Sequence, residues 1–298
     1  MKKRTLLMLP LFWALLLGGC KQGDISQSSV SGGDTTSQGG DTTSQGGDTT
    51  SQGGSETTGN AFVDMGFTAH QGWPTALVAN FLSRNAITDS VPELPSVGEV
   101  YYATSKEPDS YDYFALAIPG SDRAAEYVNK LNAAGYTTKQ IEKAYAGVSR
   151  NEMIGATIGY VKNYPDVPNC LYIYLTPNDA ESFGLHKLEK TNGWPTTVIN
   201  QYLERSGVTD PLPALPEVTS SYYASIITEG KETLMVFVPG GDRTGEYGGI
   251  LTRNRFNAYG ELYFNEPMTI TLILTHFADS DFALIEGTMI MIMASAAE

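Results

Sequence analysis

The chain has 298 residues, 41 % of them hydrophobic, which is room for two ordinary domains with their own cores. Its formal net charge is −14. Such a surface repels phosphate backbones and anionic headgroups, so nucleic acid is not an expected partner and membrane attachment needs something other than charge.

The chain begins with a cationic stretch, Lys2, Lys3 and Arg4, followed by an apolar run from Leu6 to Leu17. That run falls short of the roughly 20 residues a bilayer-spanning helix requires and fits the apolar region of a secretory signal. Leu17-Gly18-Gly19-Cys20 follows, and it resembles the lipobox of bacterial lipoproteins. The resemblance implies cleavage after residue 19, a diacylglyceryl thioether on Cys20 and acylation (palmitate) of the new amine. Two or more acyl chains give stable anchoring where one does not. The expected location is a membrane or cell surface, with the rest of the chain facing away from the cytoplasm. Losing Lys2, Lys3 and Arg4 takes the net charge from −14 to −17.

Residues 20–60 read as a lipid-anchored stalk. Three copies of GGDTTSQ run from Gly32 to Gln52, and a decayed fourth ends at Gly59. No apolar position recurs, so this is not a coiled coil, and glycine with small polar residues cannot bury enough surface to offset chain entropy. A disordered Gly-rich chain of about 40 residues spans roughly 35 Å on average and about 130 Å at full stretch.

An internal repeat organises the remainder. Residues 72–104 align without gaps to 193–225, and 15 of these 33 positions are identical. The shared residues include Gly72-Trp73-Pro74-Thr75 with Gly193-Trp194-Pro195-Thr196, and Tyr101-Tyr102-Ala103 with Tyr222-Tyr223-Ala224. Pro92-x-Leu94-Pro95-x-Val97 likewise matches Pro213-x-Leu215-Pro216-x-Val218. One residue is then lost, and Pro119-Gly120-x-Asp122-Arg123 matches Pro239-Gly240-x-Asp242-Arg243. The last strands align as Leu171–Thr176 with Met289–Ala294. The expected domains are 61–185 and 186–298.

Both copies read in one order. Leu77, Val78, Phe81 and Leu82 share one face of a first helix, as do Val198, Ile199, Tyr202 and Leu203, with Pro74 and Pro195 in the first turn. Strands follow over 98–105 and 111–118. A second helix starts at an Asp122 N-cap, carries Ala124, Tyr127, Val128 and Leu131 inward, and ends at Gly135. In the second copy this helix holds Gly245, Gly248 and Gly249, each costing about 1 kcal/mol against alanine. Further strands are expected near 153–162, 170–177, 268–277 and 284–294. Short turns between strand pairs favour an antiparallel sheet, and single helices between hairpins favour packing on one side of it. Alternation over Thr269–Thr275 suggests one covered sheet face and one more open. The expected fold is α+β: two tandem two-layer domains, each an antiparallel sheet with two helices on one face.

No residue is assigned a catalytic, metal-binding or cofactor-binding role. Trp73 and Trp194 are candidate ligand contacts, although an apolar residue before a helix commonly packs on its first turn. Asp122 and Asp242, with Glu126 and Glu246, have the chemistry of a glycosidase carboxylate pair, but their place at helix starts is explained by capping. Asp89 and Asp210 read as turn residues. His70, His186 and His276 fit no metal spacing. Cys170, left without a partner once Cys20 is lipidated, reads as a buried strand residue.

The functional expectation is a surface-anchored lipoprotein whose two non-catalytic modules bind or scaffold an extracellular glycan, wall or protein ligand. A carboxylate-dependent cell-wall or glycan hydrolase comes second, and a solute-binding lipoprotein of an importer third.

Overall fold

The computed structural model describes residues 60–105, 112–163, 167–180, 183–266, 268–277 and 285–296. The leader, Cys20 and the glycine-rich stalk lie outside the described residues.

The first repeat comprises α1 (Ala61–Asp64), β1 (Thr68–Gln71), α2 (Thr75–Arg84), β2 (Glu99–Thr104), β3 (Phe114–Pro119), α3 (Ala124–Ala133), β4 (Thr137–Ile141), β5 (Ala144–Val148), β6 (Ile154–Val161) and β7 (Cys170–Pro177). A short 3-10 turn, Leu185–Lys187, leads into the second repeat. That repeat comprises β8 (Glu189–Asn192), α4 (Thr196–Arg205), β9 (Ser220–Thr228), β10 (Lys231–Pro239), α5 (Thr244–Arg253), β11 (Asn257–Tyr259), β12 (Leu262–Phe264), β13 (Ile270–Phe277) and β14 (Gly287–Ala294).

Each repeat forms one seven-stranded sheet. The first runs β1-β2-β3-β7-β6-β5-β4, and the second runs β8-β9-β10-β14-β13-β12-β11. Every pairing is antiparallel. The two orders are the same once each strand is replaced by its repeat counterpart. Both copies therefore share the expected α+β architecture, down to the strand order.

One face of each sheet carries its two ten-residue helices, whereas Phe62 of the short α1 is buried on the other face of the first sheet. In the first repeat, Val78 and Phe81 of α2 and Tyr127, Val128 and Leu131 of α3 share a core with Phe114, Leu116, Ile158 and Ile173. In the second, Ile199, Tyr202, Tyr247 and Leu251 share one with Leu234, Val236, Leu272 and Ile290.

The other sheet faces are covered too. Ala115, Ala117, Tyr172 and Tyr174 of the first sheet fall in a single core with Met235, Phe237, Met289 and Met291 of the second. The two sheets thus stack on each other with α2 and α3 outside one and α4 and α5 outside the other, giving four layers. The joint mixes small and large side chains: β3 and β5 contribute alanines, β7 contributes tyrosines, and β10 and β14 contribute methionine and phenylalanine. Methionine, unbranched and polarisable, fills irregular space well. The open sheet face suggested by Thr269–Thr275 is therefore half of an internal joint, with Ile273 packed against the shared core.

Two readings of the sequence are corrected in detail. The last strands do not align as Leu171 with Met289. Cys170 pairs with Pro119, and Gly287 pairs with Pro239, so Cys170 corresponds to Gly287 and Leu171 to Thr288. The difference is one residue, and a one-residue slip exchanges the two faces of a strand. In the true register Ile173 and Ile290 both face helices, and Tyr172 and Met289 both face the other sheet. Asp122 is not the residue that opens α3. The cap position is held by Arg123, and Asp122 stands one place before that; its Oδ1 accepts from the Ala124 amide at 2.9 Å, as Asp242 accepts from Thr244 at 2.8 Å.

Candidate functional site

The residues that define the repeat converge on the start of each second helix. In the first copy, Arg123 donates to the carbonyl of Pro95 at 3.0 Å and to Glu126 at 2.7 and 2.8 Å. In the second, Arg243 donates to Pro216 at 2.7 Å and to Glu246 at 2.8 and 2.9 Å. The hydroxyl of buried Tyr127 reaches the carbonyl of Pro92 at 3.2 Å, and that of Tyr247 reaches Pro213 at 2.9 Å. Proline fixes its own φ and lacks a donor, so the loop preceding β2 and β9 carries carbonyls that no helix or ladder satisfies. The Arg and Tyr of the second helix supply those donors. The repeated proline loop and the repeated Asp-Arg-x-x-Glu-Tyr segment are two halves of one clasp.

Trp73 and Trp194 belong to the same clasp. Each is partly buried in its helix–sheet core. Their ring neighbours are Tyr127 at 5.8 Å and Tyr247 at 5.2 Å. The aromatic partner thus comes from the next helix, in a core that the tryptophan's own helix also lines.

Every repeated carboxylate has a local partner. The bond from Arg123 holds Glu126 below its ordinary pKa, and Arg243 does the same for Glu246. Asp242 is held low by the Thr244 hydroxyl and amide. Asp89 accepts from the Asn151 backbone at 3.1 Å, tying the loop after α2 to the β5–β6 turn. Ser149, and then Asn151, keep its carboxyl low. Asp210 takes a bond from Asn265 at 3.1 Å at the matching turn.

A further repeated pair was not read from the sequence. Arg84, at the end of α2, bonds Asp112 at 2.5 Å, and Arg205, at the end of α4, bonds Glu232 at 2.9 Å. Burial works to raise Asp112, but bonds from Arg84, Ser105 and Asn85 outweigh it and hold the carboxyl low. The signal was the shared arginine, two residues past Leu82 and Leu203. Its acidic partner differs between copies and lies beyond the ungapped alignment.

The remaining chemically notable side chains are dispersed. His70 Nδ1 lies 3.2 Å from the Gly72 carbonyl, and His276 Nδ1 lies 3.1 Å from that of Gly287. His186 sits in the turn between the repeats. Cys170 is fully buried, and burial pushes its thiol up to about 12. Among the described residues, no three His, Cys, Asp or Glu side chains stand close enough to hold a metal ion. None of the helices described there is long and apolar enough to cross a membrane.

One cavity of about 190 Å³ opens beside the clasp of the first repeat, between the Ser96–Gly98 loop and the Pro119–Arg123 turn. Leu171 forms part of its wall. In the second repeat the corresponding Thr288 accepts from the Arg243 amide at 3.0 Å. The copies therefore differ in polarity at this spot.

No protein-family model, no curated protein and no solved structure matches this chain.

Proposed function

We propose that this chain is a surface-displayed lipoprotein whose duplicated four-layer module binds or scaffolds an extracellular ligand: glycan, wall polymer or protein. The observation that carries the reading is the order of parts in the sequence: a short apolar leader, Leu17-Gly18-Gly19-Cys20, and then a glycine-rich tether before the first apolar helix. A folded body on a polar chain of about 40 residues reaches well beyond the headgroups. The acidic surface matches that arrangement, because it supplies no charge attraction to anionic lipid and leaves the acyl chains to hold the membrane.

The carboxylate-hydrolase reading draws no support from the residues that prompted it. Asp122, Asp242, Glu126 and Glu246 are engaged within their own helix starts, and each is repeated with its partner.

Two experiments test the proposal. Mass spectrometry of the chain from its native host is expected to show a diacylglyceryl-modified, N-terminal Cys20, and Cys20→Ser is expected to release the protein from membranes. An unmodified thiol at position 20 overturns the anchor. A thermal-shift screen of residues 60–298 against wall fragments, glycans and peptides tests the module. A ligand at 100 times its dissociation constant adds about 2.7 kcal/mol. No shift with any ligand class counts against the binding role.

A further inference from the structure

The segment joining the two repeats is held down around one titratable ring. Leu185 and Leu188 are sunk in the core that the two sheets share. Between them, His186 lies against the backbone of Gly155 in β6 and of Gly184. A β-carbon at those positions would stand 2.5 and 2.7 Å from its Nδ1. On the other side of the ring, Nε2 is 2.8 Å from Asn178 Oδ1. The Asn178 amide nitrogen is committed to the carbonyl of Glu152 at 2.7 Å, so its oxygen faces the imidazole and Nε2 is the donor. Neutral His186 therefore carries its lone pair on Nδ1, packed on two glycines, where the described residues offer no hydrogen-bond partner.

The charges facing the ring are of one sign. Lys139 reaches over from β4 to the Leu188 carbonyl, and Lys187 of the same turn bonds the Asp179 carbonyl. The nearby carboxylates of Glu189 and Asp179 act on these lysines. A second proton on the ring would be an enclosed cationic donor with no acceptor, beside two ammonium groups. Burial first, then Lys187 and Lys139, pushes the imidazole down to about 4.

We infer that residues 183–188 form an acid-released clasp: a proton on His186 Nδ1 lifts this turn from β5 and β6 and loosens the joint between the two sheets, while each sheet keeps its own helices. The geometry assigns the effect to one atom, because only Nδ1 lacks a place for a proton.

Hydrogen exchange by mass spectrometry on the mature chain tests this at pH 7 and pH 4, corrected for intrinsic exchange rates. Amide protection across 183–188 is expected to fall at least tenfold at pH 4, with the central strands β3, β7, β10 and β14 still protected. His186→Gln retains a donor toward Asn178 and cannot gain a proton, so its clasp is expected to hold equally at both pH values. His70 and His276 are present in both proteins and cancel. Equal loss of protection in wild type and His186→Gln overturns the inference, as does full protection in wild type at pH 4. Should the Gln variant not fold, an NMR titration of the wild-type ring decides. His186 is expected to titrate well below the ordinary value of about 6.5, and Lys139→Met to raise that midpoint. Titration of His186 at the ordinary value overturns the clasp.

Discussion

Gly248 of α5 gives the phenol of Tyr263, on β12, the space that a β-carbon would take. A β-carbon there would overlap the hydroxyl and stand 2.8 Å from Cζ. Gly245 meets nothing within 4 Å, and Gly249 meets only Arg253 at 3.6 Å. The three glycines of this helix, equivalent by propensity, are unlike by packing. Gly245→Ala is expected to stabilise the protein by up to about 1 kcal/mol, the helix-propensity difference. Gly248→Ala is expected to destabilise it by about 1–3 kcal/mol, because the half-buried ring must swing away. Urea unfolding of the two variants checks this, and equal shifts in one direction would refute the packing account.

Ala86 and Gly207 fill the same repeat position after the first helix, and both have positive φ, +52° and +73°. The left-handed region costs a residue with a β-carbon about 1–2 kcal/mol, and glycine gives part of that back through its freer unfolded state. Ala86→Gly is therefore expected to raise stability by up to about 1 kcal/mol. Gly207→Ala is expected to lower it by more, since its β-carbon would also press on Ala296 at 3.2 Å. Thermal midpoints that move the other way would show that the turn is held by contacts rather than by backbone preference.

The central elements of the fold were legible because apolar spacing repeats in both copies. Val78 and Phe81, or Ile199 and Tyr202, mark a helix face without any help from tertiary structure. The edge strands were not. Thr68–Gln71 and Glu189–Asn192 are polar at nearly every position and are strands only because β2 and β9 offer them a ladder. The stacking of the sheets did have a signal. Leu171–Leu175, Leu234–Val238 and Met289–Met293 are apolar almost without interruption, which is the mark of strands covered on both faces. Reading each repeat as closed on itself hid that meaning. At the clasp the sequence showed which residues recur but not why, because the acceptors are proline-loop carbonyls and carry no side-chain signature. The Asp112 and Glu232 partners escaped for another reason: the ion pair is retained while the residue type is not.

Cys170 is expected to be inert in the folded protein. Burial favours its neutral thiol and pushes it up to about 12, against 9.0 for a free group. The sign of the linkage follows. The fold carries the full benefit of a neutral thiol below about pH 9 and loses it as pH rises from there toward 12, because the unfolded chain ionises first. A thiol-reactive maleimide at pH 7.5 is expected to leave Cys170 of the mature chain unmodified until denaturant is added. Cys170→Ala is expected to flatten the decline in stability above pH 9. Rapid labelling of the native protein would place the thiol at an accessible surface and contradict its burial.

The clasp makes a prediction that uses the duplication as its own control. Tyr127→Phe removes the donor to the Pro92 carbonyl, and Tyr247→Phe removes the donor to that of Pro213. Each ring is fully buried, so the phenylalanine keeps the packing while the carbonyl loses its partner. The cost is expected to be about 1 kcal/mol for each variant, the usual net value of a neutral hydrogen bond. The two tyrosines belong to separate helix–sheet cores, so the double variant is expected to lose the sum to within about 0.5 kcal/mol. A double variant much less stable than that sum would mean that the helix–sheet cores communicate through the stacked sheets. The methionine- and tyrosine-lined joint would then be the route, and Met291→Ala is expected to abolish the excess.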